Sequence, residues 1–135
     1  MLKQEPILSI IDGRKLQRGS IVTFGSILSL VGKEHSTGYV ASKHGVLGLT
    51  RTVSEDYAQD GIRINTICPG YTATPMALST PDGQRATEEA LGHKIPMKRM
   101  GTPDEIANGA IWLAGGRSSY VTGTTLCVDG GYTQR

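Results

Sequence analysis

Two short apolar segments have the composition of buried strands. Residues 19–25 form a run of β-branched and aromatic side chains bounded by glycines, which is typical of a strand in the core of a sheet. Residues 62–68 carry isoleucine at three positions, and the run stops at Pro69 and Gly70 because proline cannot donate a hydrogen bond to a neighbouring strand. The pattern predicts two strands, the second of which ends in a sharp turn.

The segment between these strands has the periodicity of a helix. Within residues 39–59, apolar side chains recur at spacings of three and four, while charged side chains occupy other faces. The apolar positions are Val46, Leu49, Val53 and Tyr57. Gly61 follows where glycine commonly ends a helix. A strand, a helix and a strand joined by short links predict a right-handed parallel crossover, and so an α/β fold.

The second half of the chain alternates irregular and regular segments. Residues 71–100 contain three prolines and one short polar helical candidate at 84–91, a pattern typical of a functional lid or a disordered segment. Residues 102–105, Thr-Pro-Asp-Glu, combine a capping threonine, a proline in the first turn and a glutamate three residues after the cap. We expect this helix to run to about residue 114 and a last strand to follow at 124–128.

The first eighteen residues are irregular in pattern. Residues 1–5 could form part of a helix that Pro6 would stop, and Asp12 and Gly13 together are typical of a turn. The first predicted strand is therefore the one at residues 19–25.

Composition indicates one small domain. The 135 residues suffice for one domain and exclude two, and 18 glycines with 38% hydrophobic residues indicate a turn-rich chain. A formal charge of +2, without a run of like charges, argues against binding to nucleic acid or to a membrane surface. No apolar run is long enough to span a membrane, and the first six residues lack the apolar stretch of a signal peptide. We therefore expect a cytoplasmic protein.

The two cysteines, Cys68 and Cys127, occur singly inside apolar segments. No C-x-x-C spacing and no clustered histidines accompany them, which makes a metal site improbable. We expect both to be buried free thiols.

Tyr39 and Lys43 can cooperate chemically at the start of the predicted helix. They are four residues apart, so their side chains leave one face of the helix within reach of each other. Free tyrosine has a pKa of about 10 and is a poor acid or base at neutral pH, but a neighbouring ammonium favours the tyrosinate. Taken alone, such a pair is usually a solvated helix face.

Ser26 lies at the end of the first predicted strand, thirteen residues before Tyr39. In a parallel crossover, this end of the strand and the beginning of the next helix lie on the same edge of the sheet, where such sheets bind ligands. Ser26, Tyr39 and Lys43 can therefore converge. Taken alone, Ser26 would be a helix-cap or turn serine.

Four sequence blocks together resemble a known enzyme family. In order and spacing they are similar to the C-terminal half of the classical short-chain dehydrogenase/reductases, with a serine before a Tyr-x-x-x-Lys pair, a Pro-Gly after the following strand and a terminal Asp-Gly-Gly. The blocks are residues 19–26, 39–46, 63–70 and 128–131. The resemblance implies a partial Rossmann-like, doubly wound parallel sheet, formed by the C-terminal strands and helices of an NAD(P)-binding domain.

The resemblance also implies a catalytic group. Tyr39 would exchange a proton with the substrate oxygen while the nicotinamide transfers a hydride, so that a carbonyl and an alcohol are interconverted. Lys43 would favour the tyrosinate and hydrogen-bond the nicotinamide ribose, and Ser26 would bind the substrate oxygen. These roles are expectations that come from the family pattern.

The same resemblance implies a cofactor and partners. NAD or NADP would bind to Tyr39 and Lys43 and along a further group of residues, namely Pro69, Gly70, Thr72 and Thr74. The substrate would be a small-molecule alcohol or carbonyl compound, and full-length members of the family are expected to form homo-oligomers. Neither a metal, nor a nucleic acid, nor a membrane is implied.

The glycine-rich turn that binds the cofactor phosphates in a dinucleotide fold is absent from this sequence. No G-x-G-x-x-G follows a strand. We therefore expect residues 1–135 to form a single partial NAD(P)-binding domain without its N-terminal cofactor-binding half, as a truncated chain or an incomplete gene model. The isolated polypeptide is expected to bind NAD(H) or NADP(H) weakly or not at all.

Two other functions are considered. A catalytically inactive fragment could act as an interaction module that pairs with full-length relatives. A hydrolase could use Ser26 with His35, His44 or His93, but no serine lies in a G-x-S-x-G turn, which argues against this class.

Overall fold

A parallel three-stranded sheet forms the centre of the computed structural model, which describes residues 1–13, 15–79 and 81–134. The strands are β3 (Gly19–Phe24), β4 (Ile62–Pro69) and β5 (Thr125–Val128), in the order β3-β4-β5. Helix α1 (Thr37–Asp56) connects β3 to β4, as the predicted crossover requires. The α/β fold class and the partial doubly wound parallel sheet are confirmed.

Helices cover both faces of the sheet. The side chains of Thr23 and Thr50 are hydrogen-bonded, which places α1 on one face. Val22, the residue before Thr23 in β3, packs against the core cluster that contains Ile106 and Leu113 of α4 (Pro103–Ala114). Because consecutive side chains of a strand point to opposite faces, α1 and α4 lie on opposite sides of the sheet.

The face of α1 that contacts the sheet differs from the apolar stripe that predicted the helix. The buried residues of α1 are Leu47, Thr50 and Ser54, whereas Leu49 of the predicted stripe is 61% exposed. The helix therefore contacts the sheet through Leu47 and two small polar side chains, and Leu49 of the apolar stripe lies outside that contact.

Three threonine hydroxyls join α1 to the sheet. The hydroxyl oxygens of Thr23, Thr50 and Thr66 lie 2.8 to 2.9 Å from one another, so each threonine bonds to the other two. Thr50 and Thr66 are almost fully buried. Buried hydroxyls are costly unless they are hydrogen-bonded, and this triangle satisfies all three.

The first residues form a hairpin and no helix. Strands β1 (Ile7–Leu8) and β2 (Lys15–Gln17) pair in antiparallel orientation, and residues 1–4 form a turn. The possible helix at residues 1–5 is therefore not found. Five residues before a proline form too few helical hydrogen bonds to offset the free-energy cost of helix nucleation. Gly13, with a positive φ of 68°, confirms the predicted turn.

The segment from 71 to 100 is largely helical. It contains α2 (Pro75–Leu78), α3 (Pro81–Glu89) and a short π-helix at Ala90–Lys94. The short helical candidate predicted at 84–91 is therefore extended at both ends.

The predicted start of α4 is confirmed. The Glu105 N–H donates to the Thr102 hydroxyl, and the Thr102 N–H donates to the Glu105 carboxylate. Hydrogen bonds from Arg99 and from this N–H lower the pKa of Glu105 to about 2.

Both cysteines are free thiols, as expected, although only Cys68 is fully buried and Cys127 is half-buried. Burial raises the pKa of each thiol.

Within residues 1–13, 15–79 and 81–134, no helix is long and apolar enough to cross a membrane. In the same residues, no group of three or more His, Cys, Asp or Glu side chains could hold a metal ion.

The threonine triangle provides a test of how α1 is held. Thr50→Val keeps the shape of the side chain but leaves the hydroxyls of Thr23 and Thr66 short of one partner, so we expect the free energy of unfolding to fall by about 1–2 kcal/mol. Urea unfolding followed by circular dichroism measures this change. Thr52→Val on the exposed side of the same helix is the matched control; an equal effect of both substitutions would show that the triangle does not stabilise the fold.

Candidate functional site

A cleft of about 340 Å³ opens at the carboxyl ends of β3 and β4. It is lined by Ser26, Ile27, Leu28, Lys33, Tyr39, Pro69, Gly70, Tyr71, Thr72, Thr74 and Ala77. Parallel α/β sheets generally bind ligands at this edge. Six of the seven residues that the sequence singled out therefore line one cleft, and the seventh, Lys43, lies beside it.

Gly25 determines how the chain leaves β3. Its N–H donates to the carbonyl of Ile67 on β4 at 2.8 Å. A Cβ atom at position 25 would lie 2.7 Å from the Cys68 sulfur and 2.8 Å from the Ser29 hydroxyl, which is closer than real Cβ contacts allow. Only glycine fits this close approach, and it sets the position of the next residue, Ser26.

Ser26 caps the 3₁₀ turn that follows β3, at Ile27–Ser29. The Leu28 N–H donates to the Ser26 hydroxyl oxygen at 3.1 Å, and the Ser26 N–H donates to the Ser29 hydroxyl at 3.0 Å. The interpretation of Ser26 as a cap is thus confirmed, yet the same residue also lines the cleft. Its hydroxyl proton has no acceptor among the described residues, so the Ser26 hydroxyl can donate to a bound molecule.

Tyr39 lies in the first turn of α1 with its side chain half-exposed to the cleft. The Lys43 ammonium nitrogen lies 5.6 Å from the centre of the Tyr39 ring, within the range of a cation–π contact. No hydrogen bond to the Tyr39 hydroxyl occurs in the described part of the chain. The hydroxyl is therefore available to a ligand.

Lys43 is tied to the main chain of β3. Its ammonium donates to the carbonyl oxygen of Phe24 at 3.1 Å. An ammonium group has three donors, so this bond leaves two for other partners. The bond fixes Lys43 between the end of β3 and Tyr39.

Pro69, Gly70, Thr72 and Thr74 form the opposite wall. Gly70 N–H donates to the Val128 carbonyl at 2.9 Å, and a Cβ at position 70 would lie 2.6 Å from the Asp129 Cα, so the turn passes directly against the end of β5. The Thr72 hydroxyl donates to the Gly70 carbonyl at 3.1 Å. Thr74 lines the cleft and precedes α2 without a capping hydrogen bond from its side chain.

Several lining residues were missed by sequence reasoning. Ile27, Leu28 and Tyr71 are direct neighbours of predicted residues, so their place beside the site could have been read from adjacency. Burial raises the pKa of Tyr71, whose ring centre lies 5.9 Å from that of Tyr132. Lys33 comes from an irregular exposed loop, and no periodicity or motif indicates that it reaches the cleft.

The cleft lining contains no histidine. His44, the histidine nearest to Lys43 in sequence, is exposed on α1 with its Nδ1 atom 3.0 Å from the Val40 carbonyl oxygen. Ser26 therefore has no imidazole partner within this lining, which agrees with the argument against a serine hydrolase.

A larger cleft, about 550 Å³, lies at the opposite ends of β3 and β4. Arg63, a buried cation in this cleft, donates hydrogen bonds to Gln17, to the Gly115 carbonyl and to the Val121 carbonyl. These donors of Arg63 are therefore used within the protein. The size of a cleft does not identify the chemistry here. The smaller cleft is the better candidate because the hydroxyls of Ser26 and Tyr39, with the Lys43 ammonium beside them, converge there at the carboxyl ends of the strands.

Comparisons with known proteins point to one family. A family model described as enoyl-(acyl carrier protein) reductase matches residues 10–133. A short-chain dehydrogenase of Aspergillus ruber, FogB, is 42% identical over 135 aligned residues, which cover 98% of this chain and 50% of that protein. The 3-oxoacyl-[acyl-carrier-protein] reductase FabG of Thermotoga maritima is 42% identical over 117 residues, covering 87% of this chain and 46% of that enzyme.

Solved structures give the same result. A protein described as a 2-deoxy-D-gluconate 3-dehydrogenase from Agrobacterium tumefaciens, with NADP bound, superposes with a TM-score of 0.81 at 36% identity, over 87% of this chain and 47% of that one. The aldohexose dehydrogenase of Thermoplasma acidophilum superposes with a TM-score of 0.75 at 37% identity. The superposition covers 86% of this chain and 48% of that one. This chain spans about half the length of the relatives it matches.

The close approach at Gly25 provides a test of the site's construction. Gly25→Ala forces a methyl group against Cys68 and Ser29, so we expect the free energy of unfolding to fall by about 1–3 kcal/mol. Thermal and urea unfolding measure the change. Gly32→Ala is the matched control, since a Cβ there meets nothing within 4 Å. If the two alanine variants are equally stable, the turn after β3 is not held by this contact.

Proposed function

We propose, because the chain belongs to the short-chain dehydrogenase/reductase family, that it carries the proton-transfer residues of an NAD(P)-dependent oxidoreductase that interconverts a carbonyl and an alcohol. The observation that carries the proposal is the convergence of Ser26 and Tyr39 on one cleft, with Lys43 held beside Tyr39. Residues 1–135 would act as a single partial NAD(P)-binding domain.

Each of the three side chains can perform a definite step. The Tyr39 hydroxyl, which is free of protein partners in the described residues, would give its proton to the substrate oxygen in reduction and take it back in oxidation. The Ser26 hydroxyl would donate a hydrogen bond to the same oxygen, because its own oxygen already accepts from Leu28 N–H. Lys43 would hold a positive charge next to the tyrosine and donate to a ribose hydroxyl.

The residues present fit one end of the cofactor better than the other. A bound nicotinamide dinucleotide supplies the hydride. Hydroxyl and ammonium donors at Tyr39, Lys43 and Thr74, with the strand end at Pro69 and Gly70, suit an amide-bearing ring and a ribose. A pyrophosphate is usually held by the backbone N–H groups of a glycine-rich turn at a helix start, and this sequence contains no such turn.

The substrate would be a small alcohol or carbonyl compound. The cleft combines the apolar side chains of Ile27, Leu28 and Ala77 with the polar groups named above. Such a lining, mostly apolar with a few directed donors, is typical of small-molecule sites.

Tyr39 provides the direct test of the mechanism. Tyr39→Phe removes the proton donor but keeps the ring, so we expect the rate of carbonyl reduction with NADPH or NADH to fall by about 100-fold or more. Turnover is measured by the loss of the absorbance of the reduced cofactor over a panel of carbonyl compounds. Tyr57→Phe is the control, because Tyr57 follows the other end of α1 and does not line the cleft. With the cofactor at millimolar concentration, measurable turnover that is equal in the parent chain and in Tyr39→Phe would refute the assigned role.

The affinity of the chain for the cofactor tests whether its residues bind only the nicotinamide and ribose end. Without a phosphate-binding turn, the isolated chain should bind NADPH or NADH with a dissociation constant well above the micromolar range. Isothermal titration calorimetry of the chain with each cofactor measures it. A micromolar dissociation constant would show that residues of this chain bind the pyrophosphate as well.

A further inference from the structure

Lys33 carries the only charge among the residues that the structure describes as lining the cleft of Ser26 and Tyr39. It lies in the exposed loop that joins the 3₁₀ turn at Ile27–Ser29 to α1. The other lining residues bear hydroxyl groups, are apolar or are glycine. Since no carboxylate in this lining offsets the ammonium, the cleft attracts negative charge.

The Lys33 ammonium has no hydrogen-bond or ion-pair partner in residues 1–13, 15–79 and 81–134. An ammonium group has three donors, and those of Lys33 are all available to a ligand. Lys43 differs, because one of its donors is used by the Phe24 carbonyl. Lys33 can therefore pair with a negatively charged ligand without breaking a contact of the protein.

Glu89, at the end of α3, is an acid that interacts with the charge of Lys33. The pKa of Glu89 is lowered first by its hydrogen bond with Lys94 and, to a smaller extent, by the positive charge of Lys33. The Glu89 carboxylate and the Lys94 ammonium form an ion pair at 3.0 Å. Because Lys94 already compensates Glu89, these three side chains together keep one positive charge at neutral pH.

One segment of the chain brings both a hydroxyl and a cation to the cleft. It begins at Ser26 and reaches the cleft again at Lys33. Two apolar lining residues, Ile27 and Leu28, follow Ser26 directly. The wall proposed to meet the nicotinamide lies opposite this segment. A ligand that complements the segment has a carbonyl group, an apolar chain and a negatively charged group.

We propose that Lys33 selects oxo acids and the corresponding hydroxy acids as substrates, by pairing with a carboxylate at the end of the molecule away from the reacting carbonyl. This proposal rests on the proposed function, because Ser26 and Tyr39 are taken to meet the carbonyl oxygen. The carboxylate takes no part in the bond changes, since the hydride and the proton both go to the carbonyl group. A carboxylate fits one ammonium better than a phosphate group does, because proteins usually hold phosphate with several backbone or guanidinium donors.

The binding of matched ligand pairs tests the proposal. Straight-chain methyl-ketone acids of increasing length, starting with levulinate, are each compared with the neutral primary amide of the same chain. Dissociation constants come from NMR titration of the isotope-labelled protein near pH 7, where carboxylic acids are ionised. We expect at least one acid to bind about fivefold more tightly than its amide, since a partly exposed charge pair contributes modestly. Raising the salt concentration to about 0.5 M should remove most of this preference.

Three variants separate the local effect of Lys33 from the overall charge of the chain. Lys33→Gln, at an exposed residue, should abolish most of the preference for the acid, whereas Lys33→Arg should keep it. Lys15→Gln is the matched control, because it changes the net charge equally but lies at the cleft on the opposite ends of the strands. Lys15→Gln should keep the preference of the parent chain, and all three variants should keep its circular dichroism spectrum.

The proposal is wrong if no acid binds, if acids and amides bind equally to the parent chain, or if Lys33→Gln keeps the preference. Tyr39→Phe separates this result from that of the mechanism. It should lower the turnover of every substrate in the reduction assay and leave the acid-to-amide ratio of dissociation constants unchanged. If Tyr39→Phe turns over as the parent does while the acid preference stands, the assigned mechanism fails and the specificity of Lys33 remains.

Discussion

The parallel register between β3 and β4 determines where the residues of the candidate site lie. Phe24 pairs with Ile67, so the chain leaves both strands at the same edge of the sheet, with Ser26 on one side and Pro69 and Gly70 on the other. The Gly25 N–H bond to the Ile67 carbonyl extends this pairing by one residue beyond β3. A register shift of one residue would turn every side chain of β3 to the opposite face and would dismantle the cleft.

Local contacts within this chain are sufficient to hold the proposed catalytic group. Ser26 is held by the turn that follows it, Lys43 by the Phe24 carbonyl, and Tyr39 by its place in the first turn of α1. None of these contacts needs a residue from outside the matched half. The residues proposed for proton transfer are therefore positioned by contacts within this chain, whereas its sequence contains no glycine-rich turn of the kind that binds phosphates.

Sequence patterns predicted those elements whose signals are local. The capping box at Thr102 and Glu105, and the four-residue spacing of Tyr39 and Lys43, depend on neighbouring residues and appear in the structure as expected. The contact face of α1 could not be found in this way, because Thr50 joins the sheet through hydroxyl bonds that a hydrophobic pattern does not register. Lys33 reaches the cleft through the path of an irregular loop, which no periodicity encodes.

The bond from Lys43 to Phe24 has a consequence for how this sequence can vary. The acceptor is a main-chain carbonyl, which every amino acid supplies, so no substitution of the side chain at position 24 removes it. Mutational drift at position 24 can therefore alter the exposed side chain there while the ammonium beside Tyr39 stays in place.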